Sequence, residues 1–237
     1  MQNLSYTALE KLEIPKPVNR IDYLCQAAKN NHILDLGALD ETAYLVKKNS
    51  EHWVHKRLAQ EASFVRGVDI SDLIANESLK PFENSTIEYG DVYNLEPIIS
   101  RFGAPDLIVA GELIEHLPNS LKFLQNMKEI SALNGTRILL TTPNACCIHN
   151  AIIGLFRRES THQDHLAIFS FKTINTLLKR ANFESWKCLP YYMKFPEMIS
   201  KTKGLQKWST ISFEKAVNAG EYLFPTLSGG WIIDAII

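Results

Sequence analysis

Short apolar runs and amphipathic stretches alternate along this chain. Residues 1–17 are mostly polar and end in Pro15-Lys-Pro17, which halts regular structure. Val18, Ile21, Leu24, Cys25 and Ala28 recur at three- and four-residue spacing, so residues 18–30 are expected to form an amphipathic helix. His32-Ile-Leu-Asp-Leu-Gly37 follows, an apolar run stopped by glycine, which reads as a buried parallel strand and a turn. Residues 41–62 carry helical spacing, with Tyr44, Leu45, Trp53, Leu58 and Ala62 facing inward. Further strands are expected at 64–70, 86–92, 105–111 and 136–142, with a short helix over 71–76 and a longer one over 117–133. Ser170 is a good N-cap for a helix over 171–181. Residues 183–193 and 230–237 read as the sixth and seventh strands, and the long stretch 196–229 between them as a helical cap.

Strand and helix alternating five times predicts a parallel sheet with helices on both faces. The last two strands have no clear crossover between them and are expected as an antiparallel pair at one edge. The predicted fold is α/β: a doubly wound, mostly parallel seven-stranded sheet with an antiparallel edge pair and a cap insertion. A length of 237 residues with 46% hydrophobic content suits one such domain. Residues 18–144 would form its core, and 145–237 the loop, cap and last strands.

Charge and cysteines narrow the classes of function. A net charge of −1 gives no basic field, which disfavours nucleic acid as a partner, and Arg157-Arg158 reads as a solvated face. No apolar run approaches membrane-spanning length, and no membrane partner is expected. The first residues lack a basic region followed by an apolar one, so no targeting segment is expected. Cys25, Cys146, Cys147 and Cys188 form no C-x-x-C pair and read as reduced thiols.

Two features carry chemistry. Asp35 is a carboxylate within a strand, and charge in a core is costly without a partner. At the carboxyl end of an inner strand its partner would be loop N–H groups or a ligand, because the ligand crevice of an open α/β sheet lies there. Glu112, Glu115 and His116 follow the fourth strand; on a helix, positions i, i+3 and i+4 share one face. Such a face can bind a divalent cation of the magnesium or manganese type, and His162-Gln-Asp-His165 could add an imidazole. Equally, His116 can be held in structural hydrogen bonds with no metal. His32, His52, His55 and His149 show no informative spacing.

Ile33-Leu-Asp-Leu-Gly37, Gly67-Val-Asp-Ile70, Gly90-Asp-Val92, Glu112-Leu-Ile-Glu-His-Leu117, Leu140-Thr-Thr-Pro-Asn144 and His165-Leu-Ala-Ile-Phe-Ser170 occur in this order. Together with the alternation they resemble the class I S-adenosylmethionine-dependent methyltransferases, whose fold is Rossmann-like, over residues 18–195. The Trp53-Val-His55 segment is also similar to bacterial methyltransferases found near surface-polysaccharide genes. The resemblance implies the donor S-adenosyl-L-methionine, with Asp35 and Gly37 under its methionine part and Glu112 at the same edge. Asp69 would hold the ribose through two charge-assisted hydrogen bonds. Asp91 would accept the adenine amino group, with Val92 and Ile70 on the ring.

The first loop departs from that family. Leu39 and Glu41 occupy positions where glycines are usual. A dinucleotide needs bare backbone for its pyrophosphate, so these residues argue against NAD. A sulfonium cation tolerates acidic neighbours such as Asp40 and Glu41. The expected function is methyl transfer to a small-molecule or glycan acceptor, at oxygen, in the cytoplasm, with His116 or His165 as base. The acceptor would enter under residues 145–169 and the cap. Two alternatives stand beside it: a non-catalytic donor-binding regulator or partner subunit, and a metal-dependent O-methyltransferase using Glu112, Glu115 and His116.

Overall fold

The computed structural model describes residues 6–39, 44, 45, 48 and 50–237. Its strands are β1 (His32–Leu36), β2 (Phe64–Asp69), β3 (Leu79–Phe82), β4 (Ser85–Tyr89), β5 (Leu107–Gly111), β6 (Arg137–Pro143), β7 (Trp186–Tyr191) and β8 (Gly230–Ile236). They form one sheet in the order β3-β4-β2-β1-β5-β6-β8-β7. The run β4-β2-β1-β5-β6 is parallel throughout. At one edge β8 lies antiparallel between β6 and β7, as the missing crossover predicts. At the other, β3 pairs antiparallel with β4.

That eighth strand corrects the expected seven. Residues 79–82 read Leu-Lys-Pro-Phe, and a proline hides a strand from any periodicity argument. An edge strand tolerates it, because one side of its ladder needs no N–H donor.

The helices are α1 (Arg20–Ala28), α2 (Val54–Glu61), α3 (Glu96–Phe102), α4 (Ser120–Glu129), α5 (Ile148–Leu155), α6 (Phe171–Arg180), α7 (Pro196–Lys201) and α8 (Gly204–Leu223). Asn19 caps α1 by accepting from the N–H groups of Ile21 and Asp22. Ser170 caps α6 in a box with Thr173. The helix expected over 41–62 is interrupted: Tyr44 and Leu45 are helical, residues 50–53 are not, and α2 begins at Val54; Leu45, expected inward, is 57% exposed. Residues 41–43, 46, 47 and 49 of that prediction, and Asp40 before it, lie outside the described residues.

Both faces of the sheet are buried. Leu34, Leu36, Ile108, Ala110, Ile138 and Leu140 point into one core with α4 and α6. Their neighbours Ile33, Leu107, Val109 and Leu139 point into the other, with Leu24 and Ala28 of α1 and Leu58 of α2. Consecutive apolar residues serving opposite faces explain why the strands read as unbroken runs rather than alternating ones.

The cap is tied to the sheet by polar side chains. Asn144 is fully buried and its Nδ2 donates to the carbonyls of Thr226 (2.9 Å) and Ser228 (2.8 Å). Glu221 of α8 is also fully buried. Its two carboxylate oxygens accept from the Met193 N–H at 3.1 and 3.2 Å, and one accepts from Asn218 Nδ2. Burial pushes the Glu221 acid up to about 7, against the opposing pull of Met193 and Asn218.

A folded-state value above the unfolded one means that the native protein holds this proton more tightly. Stability therefore falls as pH rises from the ordinary glutamate range, about 4.3, through about 7. Glu221→Gln keeps an acceptor for Met193 and removes the titration. Thermal melts of this variant should lose less stability than the parent between about pH 5 and about pH 8, by on the order of 1–2 kcal/mol. Equal losses in both proteins would remove Glu221 as the source.

Candidate functional site

The carboxyl ends of β4, β2, β1 and β5 are neighbours and make one edge of the sheet. Gly37 turns the chain after β1 with φ +75°, and a Cβ there would sit 3.2 Å from Leu113 Cδ1. Asp69 closes β2. Its Oδ2 accepts from the Leu39 N–H and its Oδ1 from the Ser71 N–H, each at 2.9 Å. A carboxylate oxygen has a second lone pair, so both remain able to accept once more. Burial raises the Asp69 acid above its ordinary value; the two N–H donors pull the other way. Ile70 beside it is 64% exposed. Asp91 follows β4, exposed, with Oδ1 taking the Tyr93 N–H at 2.8 Å. Val92 is 7% exposed and belongs to the core, so Ile70 alone of that pair offers open apolar surface.

Asp35 is a correction. Its carboxylate turns to the helix-covered face rather than to the edge, and Oδ2 bonds His55 Nδ1 at 2.9 Å. His55 is fully buried on α2, and Asp35 is 3% exposed. Trp53, just before α2, donates from Nε1 to the Ala38 carbonyl at 2.8 Å, and its ring lies 5.2 Å from that of His55. The loop after β1 is thus held from below by Trp53 and His55 and from the side by Asp69. Spacing gave no hint of His55, because its partner lies on another element.

Glu112 is also placed differently. The segment after β5 is a turn, not a helix: Glu112 has φ +52°, and the His116 N–H donates to Leu113 O at 3.0 Å. Glu112 and Glu115 therefore do not share a helix face. Oε1 of Glu112 accepts from Thr141 Oγ1 (2.8 Å) and the Tyr191 hydroxyl (3.0 Å), with Arg20 Nη1 at 3.2 Å. Gly230 makes this possible, since a Cβ there would fall 2.2 Å from the Tyr191 ring. Burial and the neighbouring Glu112 hold the Tyr191 hydroxyl well above its ordinary value, so it stays a donor. Arg20, Thr141 and Tyr191 were not legible as site residues.

Of the expected set, Glu115 and His116 come together with His165 from the later loop, and Glu112 is not among them. One ligand atom from each lies within 4.8 Å of the others. The His116 and His165 rings are 4.6 Å apart, with His162 at 6.0 and 5.7 Å. The loop carrying His165 is docked by the Leu166 and Ala167 N–H groups, which donate to the Glu115 carbonyl at 2.8 and 3.1 Å. Glu115 Oε1 and Oε2, His116 Nδ1 and His165 Nδ1 are buried without a hydrogen-bond partner. Burial and the Glu112 charge push the Glu115 acid up to about 9. Burial, with His116 and His162 nearby, lowers the His165 imidazole below its ordinary value, so it is neutral at pH 7. A buried acid beside two imidazoles can share a proton with them or, once deprotonated, help to surround a cation. The cleft lined by His32, Phe64, Arg66 and Pro105 lies at the opposite, amino end of the strands and takes no part.

Comparison with known proteins agrees with this geometry. The family model described as a methyltransferase domain matches residues 17–187. No curated protein sequence is significantly similar. Among solved structures, a SAM-dependent methyltransferase from Archaeoglobus fulgidus aligns with TM-score 0.52 at 14% identity, over 91% of this chain and 90% of that one. A SAM-dependent methyltransferase from Thermotoga maritima, titled a possible histamine N-methyltransferase, aligns with TM-score 0.53 at 14% identity, over 91% and 88%. The small RNA methyltransferase HEN1 aligns with TM-score 0.55 at 14% identity, over 97% of this chain but 27% of its own. At such identities the likeness is one of fold.

Removing His55 leaves Asp35 buried without its hydrogen-bond partner. His55→Leu is expected to destabilise the protein by roughly 3 kcal/mol in denaturant unfolding, the range for a buried polar group left unpaired. A loss under about 1 kcal/mol would show that Asp35 does not depend on His55.

Proposed function

The chain belongs to the methyltransferase-domain family, and on that footing we propose that its single domain transfers a methyl group from S-adenosylmethionine to an oxygen of a small-molecule or glycan acceptor. Residues 18–144 hold the donor and 145–237 face the acceptor. The observation that carries this reading is the placement of Gly37, Asp69, Asp91 and Glu112 at the ends of four adjacent parallel strands. When bound, the donor supplies an electrophilic methyl on a sulfonium. Asp69 has lone pairs for both ribose hydroxyls, Asp91 for the adenine amino group, and exposed Ile70 an apolar face for the ring. The acidic edge suits a cation. A pyrophosphate would be ill served, because the Gly37 and Leu39 N–H groups are spent on Val68 O and Asp69.

In-line displacement at a sulfonium requires mainly alignment and exclusion of water. Neutral His165, or His116 beside it, can take the acceptor hydroxyl proton. Trp53 and His55 lie beneath the donor loop, so their likeness to polysaccharide-associated enzymes bears on the donor side and not on the acceptor. A cytoplasmic location fits a donor made there.

A second reading is favoured by the unpartnered atoms of Glu115, His116 and His165. These three would hold a divalent cation of the magnesium or manganese type, which would lower the pKa of an acceptor hydroxyl. Glu112 is not in this set.

Asp69→Ala is expected to weaken S-adenosylmethionine binding by roughly a hundredfold in calorimetry, the worth of two hydrogen bonds to a charged group. Unchanged affinity removes Asp69 from the donor site. His165→Ala should leave donor affinity within about threefold and lower turnover by on the order of a hundredfold. If the residue is a metal ligand, a chelator abolishes turnover in the parent and added magnesium or manganese restores it. A folded, fully active His165→Ala protein defeats both roles.

A further inference from the structure

The cap carries an exposed feature that the site does not use. Residues 203–209, the first two turns of α8 with its N-cap, are exposed at every position. A helix in a globular protein ordinarily buries one stripe. Here Leu205 is 88% and Trp208 70% exposed. They stand at i and i+3 and share a face, while Lys203 and Lys207, at i and i+4, share the opposite side. The tip lies outside the stretch matched by the family model, which ends at residue 187.

The surrounding sequence has one sign of charge. Residues 198–213 contain Lys201, Lys203 and Lys207 and no acidic residue. The whole chain has a net charge of −1, so this positive stretch is local. A second such place ends α5, whose Ile148 packs at α8: Leu155 and Phe156 are 83% and 72% exposed and run into Arg157-Arg158.

We propose that the tip of α8 docks on an anionic lipid surface, with Leu205 and Trp208 seated among the headgroups and the lysines on the lipid phosphates. An apolar face bearing tryptophan, backed by lysines, is the pattern of a helix that lies in a membrane interface. Among the described residues no helix is long and apolar enough to cross a membrane, so the contact is peripheral. The expectation of no membrane partner rested on spanning length and did not address a surface contact. A second copy of the chain would use the apolar face but leave the lysines on the other side without a role. Nucleic acid would use the lysines but leave Leu205 without a role.

The protein provides its own probe. Trp53, Trp186 and Trp231 are 2%, 6% and 1% exposed, so an environment-dependent change in emission reports Trp208. Purified protein is mixed with vesicles of phosphatidylcholine alone or with added phosphatidylglycerol. The expected result is a blue shift and co-sedimentation with the anionic vesicles, at least tenfold above neutral ones and reversed by salt. Each lysine changed to glutamine should lower partition by roughly fivefold. The double variant Leu205→Ser/Trp208→Ser should lose binding with its melting temperature and donor affinity unchanged, since both side chains are exposed. Trp208→Phe should lose the blue shift and retain most co-sedimentation. The proposal is overturned by equal binding to both vesicle types, by no binding, or by a double variant that sediments like the parent. It is also overturned if the blue shift follows protein concentration without vesicles, which would mean that a second copy covers the tip.

Discussion

Burial of both sheet faces decides where charge can stand in this protein. The central strands send alternate residues into two apolar cores, and neither has room for an unpaired ion. Charged groups are therefore driven to the strand ends or must bring a partner inward. Asp35 takes the second course with His55. Asp234 does so near the end of β8, where Arg137 grips both its oxygens at 2.9 Å and Tyr23 donates at 2.6 Å. Burial alone would raise that acid, but Arg137 and Tyr23 hold it below its ordinary value. Asp69, Asp91 and Glu112 take the first course, and all stand at the carboxyl edge. Carboxylates collect at the edge because the middle of the sheet cannot hold them unpaired.

One carboxylate joins the two halves of the molecule there. Glu112 Oε1 collects Thr141 from β6, Tyr191 from β7 and Arg20 from α1. Residues far apart in the chain meet on this oxygen, Tyr191 from 79 positions away. The antiparallel edge, which leads into the cap through Met193 and Glu221, is thereby connected to the turn that bears Glu115 and His116. Carboxyl edge and cap are positioned by the same few hydrogen bonds.

Much of this was legible in the sequence, for reasons that also mark the limit. Buried parallel strands announce themselves as short apolar runs ended by Gly37, Asp69 or Gly111, and the parallel order follows from their alternation with helices. Ser170 gave its helix because capping is local chemistry. Proline 81 concealed β3. The Glu112–His116 spacing suggested a helix because three- and four-residue contacts also occur in tight turns; the left-handed φ of Glu112 and Pro118 beyond it break the pattern. His55, Arg20 and Tyr191 acquire meaning only through partners on other elements, which no local pattern encodes. The meeting of His165 with His116 was readable because the connection after β6 returns over the carboxyl edge.

The remaining question is why a fold that satisfies so many buried charges leaves Glu115 bare. Its two oxygens and the Nδ1 atoms of His116 and His165 are buried and unpartnered, and each such atom costs about 1–3 kcal/mol. The docking of Leu166 and Ala167 on the Glu115 carbonyl holds this arrangement in place, so it is a rigid feature of the loop. Nearby Glu112 brings a second carboxylate and not a donor, so it does not relieve it. Asp35, by contrast, shows that a histidine turned by a few ångströms suffices to satisfy a buried acid in this same molecule. His116 and His165 stand close enough to Glu115 and are not so turned. One ligand atom from each lies within 4.8 Å of the others, so the cost of leaving them unpaired falls on one small volume beside the carboxyl edge.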